Sequence, residues 1–86
     1  MKENWMKQLL TDIGRIAGAE KTSHYQVTVL PQILADFYKM LQGLQAGKEA
    51  SEQYRMEDGS MEIRLRGIKQ ADGMVKITSA GAYTVR

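Results

Sequence analysis

Residues 58–85 read DGSMEIRLRGIKQADGMVKITSAGAYTV. Asp-Gly occurs in this stretch twice, at Asp58-Gly59 and Asp72-Gly73, each time between strand-like runs. Such pairs mark tight hairpins, because glycine, and often Asp or Asn, accepts positive φ. Side-chain parity selects the loop at each turn. At the second turn a two-residue loop would set Ile63 and Leu65 on the opposite face from Val75 and Ile77. A three-residue loop, Ala71-Asp72-Gly73, puts all four on one face, as in a type I turn closed by a glycine bulge. At the first turn a two-residue Asp58-Gly59 loop aligns Tyr54 and Met56 with Met61 and Ile63.

The result is an antiparallel meander of strands over about 53–57, 60–70 and 74–85. Continued parity assigns Tyr54, Met56, Met61, Ile63, Leu65, Val75, Ile77, Tyr83 and Val85 to its inner face, with a kink at Gly81. The same register pairs Arg66 with Thr78, Arg64 with Ala80 and Ile68 with Lys76 on the other face.

Working back toward the N-terminus, Trp5, Met6, Leu9, Leu10, Ile13, Ile16 and Ala17 recur at helical spacing and predict a helix from Glu3 to Glu20. Asp12 flanks that stripe. Gly14 and Gly18 share a face and suit close packing. Residues 24–30, His-Tyr-Gln-Val-Thr-Val-Leu, alternate polar and apolar, which predicts a half-buried strand. Pro31 ends it and opens a second helix, whose stripe is Ile33, Leu34, Phe37, Tyr38, Leu41 and Leu44. That helix ends near Gln45 or continues, broken, toward Ser51.

These elements predict one α+β domain over residues 1–86. Two helices pack on one face of a small antiparallel sheet in the order α-β-α-β-β-β. A winged helix-turn-helix is the alternative. In it Gln45 to Arg55 is the recognition helix and the Ala71-Asp72-Gly73 hairpin is the wing. The run Val75 to Gly81 resembles the closing wing strand of some winged-helix regulators. Against it, Gln45 to Arg55 is poor in apolar anchors and carries Glu49 and Glu52.

An 86-residue chain buries only about 60–65% of its unfolded surface, so self-association into a homodimer is expected. The chain has no cysteine, which excludes disulfides and thiolate zinc sites. No apolar run is long enough to span a membrane. After Lys2 the N-terminus has no uninterrupted apolar stretch, which argues against a signal peptide, and a cytoplasmic protein is expected. The net charge of +2 lies wholly in the C-terminal third. There Arg55, Arg64, Arg66, Lys69, Lys76 and Arg86 face Glu57, Asp58, Glu62 and Asp72.

Chemistry-bearing motifs are few. His24 is the one histidine, without a second ligand to share a metal, and Ser23 beside it lacks the orienting group of a triad. Neither G-x-G-x-x-G nor a P-loop occurs. No catalytic residue, metal site, cofactor or small-molecule substrate is therefore expected. The candidate contact residues are Arg64, Arg66 and Lys76, which project together from the outer sheet face beside Glu62 and suit phosphates or an acidic protein surface. Tyr54 and Tyr83 are assigned inside, and Tyr25 joins either face depending on where its strand docks, so the signal for base stacking on the outer face is weak. Trp5 is the candidate interface residue, as an anchor of the first helix or a dimerisation element. The six methionines suit gap-filling in a thin core or an adaptable contact surface. The expectation is a small non-catalytic accessory protein of bacterial or phage type. It acts through macromolecular contacts, with protein the favoured partner and nucleic acid the runner-up.

Overall fold

The computed structural model describes residues 4–85. Glu3, where the sequence starts the first helix, and Arg86 lie outside the described residues. Helix α1 spans Asn4–Ala17 and buries Leu9, Asp12 and Ile13. It stops at Gly18, whose φ of 96° no helix accommodates. The chain then stays helical from residue 19 to residue 42: α2 (Ala19–His24), a π turn (Tyr25–Val29) and α3 (Leu30–Gln42).

The strand expected over 24–30 is therefore helical. Its alternating pattern is real, but one member, Val27, is 76% exposed, while Tyr25 and Leu30 are buried. Residues five apart share a face in a π turn, and the Leu30 amide donates to the Tyr25 carbonyl. Pro31 accounts for the widening. It has no N–H to give the carbonyl four residues back, and its ring crowds that group. Tyr25 thus joins the stripe that continues through Leu30, Ile33, Phe37 and Leu41.

Three strands follow: β1 (Glu49–Met56), β2 (Met61–Lys69) and β3 (Val75–Thr84), in the spatial order β1-β2-β3 and all antiparallel. Helices packed on one antiparallel sheet make an α+β fold, as the sequence predicts, but the helices come first and the sheet has three strands among the described residues. The second helix ends at Gln42, short of the expected Gln45. Residues 49–55 of the supposed recognition helix lie in β1, and the winged-helix alternative falls with them.

The core is formed by Leu9 and Ile13 of α1, the Tyr25-to-Leu41 stripe, and Met61, Ile63, Leu65, Ile77 and Ala82 of the sheet. α1 packs chiefly on β3. Asp12, 5% exposed, accepts the Ala82 amide at 3.1 Å, along with Gln8 Nε2 at 2.8 Å and an Arg15 guanidinium nitrogen at 3.1 Å. The side chain of Lys69 donates to the Gln42 carbonyl at 2.7 Å and ties the C-terminus of α3 to the sheet.

The first turn holds its expected register throughout, and the second holds it as far as Gly67. Met56 pairs with Met61 and Tyr54 with Ile63, as parity demands. The loop itself is not the bare Asp58-Gly59 pair, for Glu57, Asp58 and Gly59 all take positive φ. Glu57 is held there by the Tyr25 hydroxyl, which donates to it at 2.7 Å, and by Lys21 at 3.3 Å. Across the second turn Lys69 pairs with Val75 and Ile68 with Lys76. Then the register shifts. Gly67 pairs with Ile77 but Arg66 pairs with Ser79, leaving Thr78 as the extra residue of a β-bulge. Beyond it Ala80 and Ala82 turn inward, and Tyr83, assigned inside by the sequence, lies outside, 45% exposed.

Candidate binding face of the sheet

Among the described residues no helix covers the outer face of the sheet, and its composition follows from the register. Starting at the 71–73 turn, successive rows across β1, β2 and β3 are Glu49, Ile68, Lys76; Ser51, Arg66, Ser79; Gln53, Arg64, Gly81; and Arg55, Glu62, Tyr83. Four cations thus share this face with two carboxylates. Glu62 is 6% exposed and clasped from both sides, by Arg64 at 2.5 Å and Arg55 at 3.2 Å. Its hydrogen bond with Arg64 holds its carboxyl below the usual value of 4.5, against the opposing effect of burial and with help from Arg55. The clasp orients both guanidinium groups across the sheet. Among the described residues Arg66 and Lys76 have no carboxylate partner.

Tyr83 lies back along its own strand. A Cβ added at Gly81 would stand 3.2 Å from the Tyr83 hydroxyl and 3.1 Å from Asp12 Oδ2, so a larger residue there would crowd the ring. From the neighbouring strand the Arg64 guanidinium sits 4.3 Å from the ring centroid, a cation–π contact. Beside this pair is a shallow concavity of about 320 Å³. Its outer-face lining is Ser51, Gln53, Arg64, Arg66, Ser79, Gly81 and Tyr83.

Of the residues expected to bind, Arg64, Arg66 and Lys76 all belong to this face. Arg64 and Arg66 line the concavity, and Lys76 stands one row beyond it. They face Gly81 and Ser79 across the strands, not Ala80 and Thr78, because of the bulge. Sequence reasoning missed Tyr83, Ser51, Gln53 and Ser79. A signal for Tyr83 and Ser79 existed in Ala80 and Ala82, the better core residues, which parity unbroken from Ile77 leaves in water. Trp5 lies apart, half-buried on α1 against the core. Its indole N–H is buried with no acceptor among the described residues. His24 is exposed, edge-on to Tyr25 at 6.1 Å between ring centroids.

Among the described residues no three His, Asp or Glu side chains gather as metal ligands, and no helix is long and apolar enough to cross a membrane. Comparison with protein-family models, with curated proteins and with solved structures finds no match for the chain.

Proposed function

We propose that this protein is a non-catalytic binding module that holds an acidic macromolecular partner against the outer face of its sheet. The observation that carries this reading is the uncovered grid in which Arg66 and Lys76 lack carboxylates while Arg64 is pinned beside a concavity with hydrogen-bonding walls. Cations without internal partners attract polyanions over distances of about a Debye length, and a rigid sheet presents them without a large ordering cost. Ser51, Gln53 and Ser79 add donors and acceptors that give such a contact direction.

The test is backbone-amide chemical-shift mapping of the full chain titrated with inorganic polyphosphate and with polyglutamate in about 50 mM salt, where phosphate contacts are strong. The expected shifts cluster at Ser51, Gln53, Arg64, Arg66 and Ser79, and reversal of charge by Arg66→Glu with Lys76→Glu removes them. Shifts confined to α1 and α3, or none with either polyanion, contradict the reading.

A further inference from the structure

We infer that the partner is a single-stranded nucleic acid, one of whose bases stacks on the Tyr83–Arg64 pair while its phosphates lie toward Arg66 and Lys76. The inference rests on the reading of the outer face as a contact surface and adds to it the chemical class of the ligand.

Two features separate a nucleotide strand from an acidic protein surface. The first is an exposed aromatic ring on an open sheet with a guanidinium 4.3 Å from its centroid. Carboxylates gain nothing from a π face. A base does, because it stacks on aromatic rings and on guanidinium planes alike. Gly81 gives the ring room to lie down, since a side chain there would crowd the phenol at 3.2 Å. The second feature is the spacing of functions along β2 and β3. Tyr83 and Arg64 occupy adjacent rows, the Arg66–Ser79 row comes next, and Lys76 ends the series. A nucleotide strand running along these rows meets a stacking surface, then hydrogen-bonding side chains, then cations free to take phosphates. The concavity between them is at the small end of ligand pockets, the scale of one nucleotide. A duplex keeps its bases stacked within itself and cannot use the ring.

With one exposed ring and two unpartnered cations, binding is modest and weakly sequence-dependent. Neutralising two phosphates of a single strand gives log K against log salt a slope of roughly −1.4. The experiment is fluorescence anisotropy of the full chain with a labelled oligothymidylate of about 12 nucleotides, its duplex form, and polyglutamate of matched charge, in about 50 mM salt. The expected result is preference for the single strand with that slope. Tyr83→Leu weakens binding about tenfold or more, and Tyr83→Phe retains it. Tyr83 is exposed, and circular dichroism checks that both variants keep the fold.

If polyglutamate or the duplex binds as tightly as the single strand, with Tyr83→Leu indistinguishable from the parent, the nucleic-acid inference is overturned. The contact-surface reading survives that outcome provided Arg66→Glu with Lys76→Glu abolishes the binding. If none of the three ligands binds, both are overturned.

Discussion

Gly67 is a single residue whose lack of a side chain sets how closely the layers approach. A Cβ there would stand 2.5 Å from Leu41 Cδ1, 2.9 Å from the Lys76 carbonyl and 3.1 Å from a Phe37 ring carbon. Leu41 can swing its methyl away. The Lys76 carbonyl belongs to a strand and cannot move without the register moving too. Gly67→Ala is accordingly expected to destabilise the fold by about 1–3 kcal/mol, the usual cost of overpacking a core. Urea denaturation checks this through a lower midpoint at unchanged slope. A midpoint equal to that of the parent would mean that α3 does not approach β2 this closely.

Among the elements, those legible from sequence were the ones with a single periodic solution. The α1 stripe, the α3 stripe and the hairpin at 71–73 follow from the spacing of their apolar residues, and the pairings Met56–Met61 and Lys69–Val75 follow from parity alone. Two elements resisted, for different reasons. Residues 24–30 carry a pattern of period two, but a π turn also gathers Tyr25 and Leu30 on one side. Pro31 does not separate the two, because it reads equally well as a strand stop and as the first turn of a helix. In β3 one extra residue, Thr78, exchanges the faces of everything after it. Three of the candidate cations were legible because they precede the bulge or sit on β2. Tyr83 was not, because it follows the bulge. The hint lay in composition: a core lined by Ser79 and Gly81 while Ala80 and Ala82 stay wet is the poorer arrangement.

At the scale of the fold, two carboxylates join neighbouring elements, Glu57 and Glu62. Glu57 joins the β1–β2 turn to the helical layer, and its hydrogen bond from Tyr25, with Lys21 assisting, depresses its pKa below 4.5. The same contact acts on the phenol, which burial first and Glu57 second push upward. Glu62 is depressed likewise, by Arg64 first. A carboxylate depressed in the folded state adds stability that is fully present above its unfolded value, here about 4.5, and that is lost as pH falls through the lower folded value. The urea midpoint is therefore expected to hold near neutrality and to fall below about pH 4.5. Glu57→Gln with Glu62→Gln lowers the neutral plateau and flattens the acid decline. An acid decline as steep in that double variant as in the parent would assign it to other groups.

The binding face depends on the geometry of one strand: the bulge at Thr78 puts Tyr83 in water beside Arg64 and turns Ala80 and Ala82 into the core. Cross-strand nuclear Overhauser effects read this directly, since facing α-protons approach closely at non-hydrogen-bonded pairs of an antiparallel ladder. The Ala82 amide bonds outward to Asp12, which makes Ile63–Ala82 such a pair and, two residues on, Leu65–Ala80 another. Strong α-proton contacts between Ile63 and Ala82 and between Leu65 and Ala80 are the predicted result. Contacts of Ile63 with Gly81 and of Leu65 with Ser79 in their place would mean an unbroken ladder with Tyr83 inside, and the stacking surface would not exist.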